Sequence, residues 1–140
     1  MQNTSTEFVA IHELVGLNSL IGRLICSFGI PPMVRGYQYI IEAILLIIED
    51  SNRIFLLKDE VYPSVAMRFY TTSSRVELAI RHAIEISWSW NGSESLKEQY
   101  FNNLSVPTNK QFLDFLHKRV LQSINNDVDN ASIDMAQTPI

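Results

Sequence analysis

Cysteine is almost missing from this 140-residue chain: Cys26 stands alone, so no internal disulfide can form. A single thiol excludes the disulfide framework of a small secreted domain and the thiolate clusters of structural zinc sites. It fits a reducing, cytoplasmic setting in which Cys26 is expected to be a buried, inert thiol. Long apolar runs are missing as well. The most apolar stretch, Tyr39 to Ile48, is interrupted by Glu42 and is far shorter than the roughly 20 residues a membrane span needs, so no membrane partner is expected. The N-terminus has no basic segment leading into an apolar stretch and a small-residue cleavage site, so nothing in it reads as a secretory leader. His12, His82 and His117 are too far apart in sequence for a local metal site. There is no glycine-rich phosphate loop, no G-x-S-x-G elbow and no H-E-x-x-H pair, and the expectation is a protein with no enzymatic activity, no metal and no cofactor.

What the chain does have is enough apolar material for one core. Hydrophobic residues make up 46%, charged residues 19% and aromatic residues 10%, which excludes a low-hydrophobicity disordered chain and any fibre composition. The net charge of -4 argues against indiscriminate nucleic-acid binding, which depends on phosphate neutralisation by Lys and Arg. Its distribution matters more than its total. From Ile30 to Gln122, four lysines and six arginines face ten acids, so the body is neutral and the acidic excess sits at the two ends.

No alternating strand pattern of useful length occurs, whereas 3- and 4-residue apolar spacing recurs from end to end. The expected fold is all-α, a six-helix single domain. Residues 1–7 are read as a frayed N-terminus, 8–122 as the helical domain and 123–140, rich in Asn, Asp and Ser, as a disordered tail. The first helix covers about Phe8 to Ser27 and stops at Gly29-Ile30-Pro31-Pro32; the second, about Met33 to Asp50, is apolar on several sides and expected to be central. Ile54 to Asp59 reads as a short connecting turn. Glu60 to Phe69 is a third helix with Pro63 in its first turn, where a missing N–H costs little. The fourth, about Ser73 to Trp90, is closed by Asn91-Gly92-Ser93. Two more follow near Glu94 to Asn102 and Asn109 to Ser123, with Thr108 as an N-cap.

The third and fourth helices are joined by only about three residues, Tyr70-Thr71-Thr72, the spacing of a helix-turn-helix spanning about Glu60 to Trp90. Ala66 is small where the second helix must approach closely, and Thr72 can cap it. Placing Val76 and Ile80 inward turns Ser73, Ser74, Glu77, Leu78 and Arg81 outward, near the start of the helix that would meet base edges. Arg75 and Arg81 can bind guanine or a phosphate, Glu77 can accept from cytosine, and Leu78 can touch a thymine methyl. The opening serines can donate to phosphate. A plain helical hairpin with a polar face has the same pattern, and Glu77 with Arg81 is an i,i+4 pair suited to any exposed helix.

A resemblance to a known family favours the first of these readings. Gly36-Tyr37-Gln38-Tyr39, Val61-Tyr62-Pro63, and above all Thr71-Thr72-Ser73-Ser74-Arg75-Val76-Glu77 with Ala79-Ile80-Arg81-His82-Ala83-Ile84-Glu85 closely resemble the C-terminal effector domain of the sporulation master response regulator, the stage 0 sporulation protein A family. Pro107-Thr108-Asn109 with Phe112 also matches, and the likeness covers roughly Ser19 to Leu121. It implies a six-helix domain that binds short promoter boxes in double-stranded DNA as tandem dimers and regulates transcription. By position it places DNA contacts on Ser74, Arg75, Glu77, Arg81 and His82. Of Trp88, Trp90, Tyr100, Phe101, Phe112 and Phe115, most are expected in the core, and any left exposed offer a surface for a second copy or for RNA polymerase.

Three departures stand out. Leu78 occupies the place of a base-reading arginine, which removes about 1–3 kcal/mol of discrimination if a bidentate guanine contact is lost. Tyr70 replaces the usual asparagine in the turn, at about 1–2 kcal/mol if the backbone there is left-handed. The third is organisational: family members carry a phosphorylatable receiver domain before the effector, whereas this sequence has only a short segment there, so if it is complete rather than an excised domain, control by its own phosphorylation is not expected. These departures motivate a second reading, a receiver-less antagonist that binds a full-length sporulation regulator or its operators. For the leading reading, Arg75→Ala and Arg81→Ala are expected to weaken DNA binding more than Lys97→Ala.

Overall fold

The computed structural model describes residues 4–90, 97–98, 101 and 105–137, with side chains described for 14–90, 97–98, 101 and 105–126. Its elements are α1 (Thr4–Ser27), α2 (Arg35–Glu49), a 3-10 turn (Ser51–Phe55), a π turn (Leu57–Val61), α3 (Tyr62–Arg68), α4 (Ser73–Ser89) and α5 (Asn109–Gln137). Among the described residues there are five α-helices and no strand. The all-α expectation therefore holds. The helix expected near Glu94 to Asn102, and the closing Asn91-Gly92-Ser93, lie wholly or mostly outside the described residues.

α1 begins at Thr4, and α5 runs from Asn109 through Ser123 to Gln137. No glycine or proline interrupts α5 between Asn109 and Gln137, and Ile124 packs on the core. α2 starts later than its apolar pattern. Pro31 to Val34 form a turn closed by a Val34 N–H to Pro31 carbonyl bond of 3.2 Å.

The core is the shared interior of all five helices, with Ile21, Ile25, Ile40, Ile44, Ile80, Ile84, Phe112 and Leu116 fully buried. α2 is its central member, as its apolar breadth foretold. At one end lies an aromatic cluster centred on Phe28, with Trp88, Phe101, Phe112 and Phe115 around it. Ser87 donates to the Phe28 carbonyl and holds the end of α4 against the end of α1. Lys97 is buried and donates to the Ser87 and Trp90 carbonyls, the latter at 2.6 Å, with its ammonium 5.3 Å from the Trp88 ring centre. This cation therefore sits on carbonyls at the C-terminus of α4, where the helix dipole favours positive charge. It is not a neutral surface residue, so Lys97→Ala is unsuitable as the reference for DNA binding.

The connection from α3 to α4 carries the strain that the sequence raised as a condition. Tyr70 has φ +54°, the left-handed region, and its side chain is 98% exposed. Neither packing nor burial of the ring offsets that backbone cost of about 1–2 kcal/mol. Tyr70→Asn is expected to raise unfolding stability by about 1 kcal/mol, seen as a thermal midpoint a few degrees higher by circular dichroism. An unchanged or lower midpoint would contradict the strain argument.

Candidate nucleic-acid interface

Thr72 sets where α4 begins. Its backbone is extended and its hydroxyl accepts the Arg75 N–H at 3.2 Å, the N-cap the sequence called for. From that start the 3.6-residue period puts Val76, Ile80, Ala83 and Ile84 fully into the core. Ser74, Arg75, Leu78 and His82 are left exposed along the opposite face. Ser73, Glu77 and Arg81, expected on that outward face, are only half-exposed.

Their lower exposure has identifiable causes. The Asn109 amide of α5 donates to the Glu77 carbonyl at 3.0 Å and to the Tyr62 hydroxyl at 3.2 Å, which draws the flank of α4 against α5. Burial raises the Tyr62 hydroxyl above its ordinary pKa, partly offset by the Asn109 bond, so it remains a neutral phenol. The Asn109 side-chain amide oxygen is buried without a partner among the described residues. Arg81 pairs with Glu85 at 3.2 Å rather than with Glu77, one turn further along the helix. It also donates to the Pro107 carbonyl, tying α4 to the segment that leads into α5. α5 itself opens with a reciprocal cap: the Gln111 N–H donates to the Thr108 hydroxyl at 3.1 Å and the Thr108 N–H to the Gln111 side chain at 2.9 Å.

Two hollows flank the exposed face. On one side an open groove runs between α4 and the 3-10 and π turns, walled by Ser74, Leu78 and Arg81, and by Phe55, Lys58 and Lys110. Leu78 is 67% and Phe55 72% exposed, and the Lys110 ammonium lies 4.8 Å from the Phe55 ring centre. On the other side a smaller hollow brings Arg75 together with Arg35, Tyr70 and Met33. Arg75 and Leu78, neighbours on one exposed face, therefore border different hollows. Sequence reasoning missed Arg35, Phe55, Lys58 and Lys110, because each arrives from a distant segment with no spacing relation to α4. No group of three His, Cys, Asp or Glu is placed to hold a metal among the described residues.

A small all-α domain that presents the capped start of one helix, polar and cationic on its outer side, falls in the class of helical DNA-binding effector domains. The family described as sporulation initiation factor Spo0A C terminal matches residues 21–120, well over half the chain. The chain belongs to this family, that of the DNA-binding effector domain of a sporulation transcription regulator. It is a family of DNA-binding domains and not of enzymes.

Proposed function

We propose that the chain is a sequence-specific DNA-binding regulator of transcription in which α3 and α4 form a helix-turn-helix and α4 enters the major groove. One observation carries the reading. The first half of α4 buries Val76 and Ile80 completely and leaves Ser74, Arg75, Leu78 and His82 exposed, just after a cap that aims the helix start outward. An exposed helix start offers backbone N–H groups and a positive dipole end to phosphate, while side chains of the next turn reach base edges. Ser73, Ser74 and His82 act on phosphate, and Glu77, Leu78 and Arg81 border the base-reading surface. Leu78 takes a thymine methyl where an arginine would take guanine.

Residues 8–122 form the DNA-binding domain in this reading, acting in the cytoplasm on promoter boxes. Tandem sites would be filled by two copies, with RNA polymerase as the further partner. Among the described residues no helix is long and apolar enough to cross a membrane. Electrophoretic shift of promoter fragments tests the proposal. A shift is expected at low salt, with affinity falling steeply as salt rises. No shift on family-type boxes, nor on any duplex from an unbiased pool, would refute it.

The antagonist reading draws on one further observation, the pair of exposed apolar side chains Leu78 and Phe55 in the groove beside α4. Apolar surface of this kind suits a protein partner. Titrating the chain into a full-length sporulation regulator bound at its promoter separates the two. Release of the regulator while the chain itself shifts no DNA supports antagonism; unchanged binding contradicts it.

A further inference from the structure

The hollow on the turn side of α4 has a charge pattern that the base-reading role does not use. Arg35 opens α2 and Arg75 lies in the first turn of α4, yet both line this one hollow, with Gln38, Tyr70 and Thr71 completing its polar wall. No carboxylate lines it. Three other arginines are neutralised locally: Arg53 stands 3.5 Å from Glu49, Arg68 3.3 Å from Glu42 and Arg81 3.2 Å from Glu85. Arg35 and Arg75 have no such partner among the described residues, and both are exposed. Two guanidiniums without a carboxylate partner among the described residues, brought to one hollow from separate helices, form a site of net positive charge in a body whose total charge is zero. Tyr70, almost fully exposed on a left-handed backbone, adds a hydroxyl at the rim.

We infer that this hollow seats a phosphodiester of the DNA strand flanking α4, with the Arg35 and Arg75 guanidiniums donating to the phosphate oxygens and the Tyr70 hydroxyl donating to one of them. The inference rests on the DNA-binding reading of α4 and assigns its clamp. The occupant is a nucleic-acid backbone because the hollow adjoins the exposed start of the reading helix, and because planar guanidinium forks match phosphate geometry. The inference also divides labour along one helix. Arg75 holds the register on the backbone, a role without sequence information, and discrimination falls to the Leu78 flank.

The test is fluorescence anisotropy of the full chain with one selected duplex and one unrelated duplex, across a range of salt. Arg35→Ala is expected to weaken binding to both duplexes by the same factor and to make the slope of log affinity against log salt shallower by about 0.9, one phosphate contact. Arg35→Lys should retain most of the slope. Tyr70→Phe, which keeps the ring and loses the hydroxyl, is expected to weaken both by about threefold. Lys118→Ala, which removes a charge already paired with Asp114 at 2.9 Å, should leave the slope nearly unchanged. If the wild-type chain binds and Arg35→Ala leaves affinity and slope intact, the clamp is wrong while the DNA-binding reading stands. A change in preference between the duplexes would likewise overturn it, because it would make Arg35 a base reader. If the wild-type chain binds neither duplex nor any from the pool, both readings fall together.

Discussion

Gly36→Ala is expected to destabilise the protein by about 1–3 kcal/mol, although the same exchange in an unconstrained helix stabilises by about 0.5–1 kcal/mol. The sign is decided by how α2 crosses α4. A Cβ built on Gly36 meets the Ala83 Cβ at 2.7 Å and lies closer still to the Ala79 carbonyl oxygen, which is backbone and has no rotamer by which to yield. α4 must move away from α2 to admit the methyl group. That movement displaces Ala79 and Ala83, the inward side of the helix whose outer side carries Ser74, Leu78 and His82. DNA affinity should therefore fall along with stability. Gly16→Ala is the control, since a Cβ there meets nothing within 4 Å, and it should follow the intrinsic helix preference and stabilise. Urea titrations of the two variants check this, and a gain of stability in both would show that α2 and α4 do not pack this closely.

Phe28→Ala is expected to cost more, about 3–5 kcal/mol. Phe28 is fully buried with ring centres 5.5 Å from Phe115, 5.6 Å from Phe112 and 6.3 Å from both Trp88 and Phe101. Truncation leaves a void that four bulky rings from several elements cannot all close. Phe28→Leu keeps most of the volume and should cost about 1–2 kcal/mol. The Ser87 hydroxyl bond goes to the Phe28 main-chain carbonyl and survives either change, so the loss reports packing alone. Thermal unfolding followed by near-ultraviolet dichroism, which sees the Trp88 environment, separates the two variants. Equal small losses would mean that the aromatic cluster is loosely packed.

Much of this architecture was legible in the sequence because helical periodicity is a local signal. Val76 and Ile80 are buried as spaced, and the caps at Thr72 and Thr108 are made as their residue types require. The residues missed were those whose meaning depends on a distant partner. Arg81 looked like an outward residue paired with Glu77, but the chain near Pro107 approaches α4 and takes its guanidinium. Lys97 looked like a surface cation, yet the end of α4 offers it two carbonyls and an indole. Arg35 carried no signal of its own until the fold set it beside Arg75.

Position 78 tests the central claim most directly. An unbiased duplex selection with the wild-type chain, repeated with Leu78→Arg, is expected to give two enriched boxes that agree at most positions and differ at one or two adjacent base pairs, thymine in the first and guanine in the second. Enrichment of no sequence by either chain, or the same box for both, would contradict the claim that the exposed face of α4 reads DNA through residue 78.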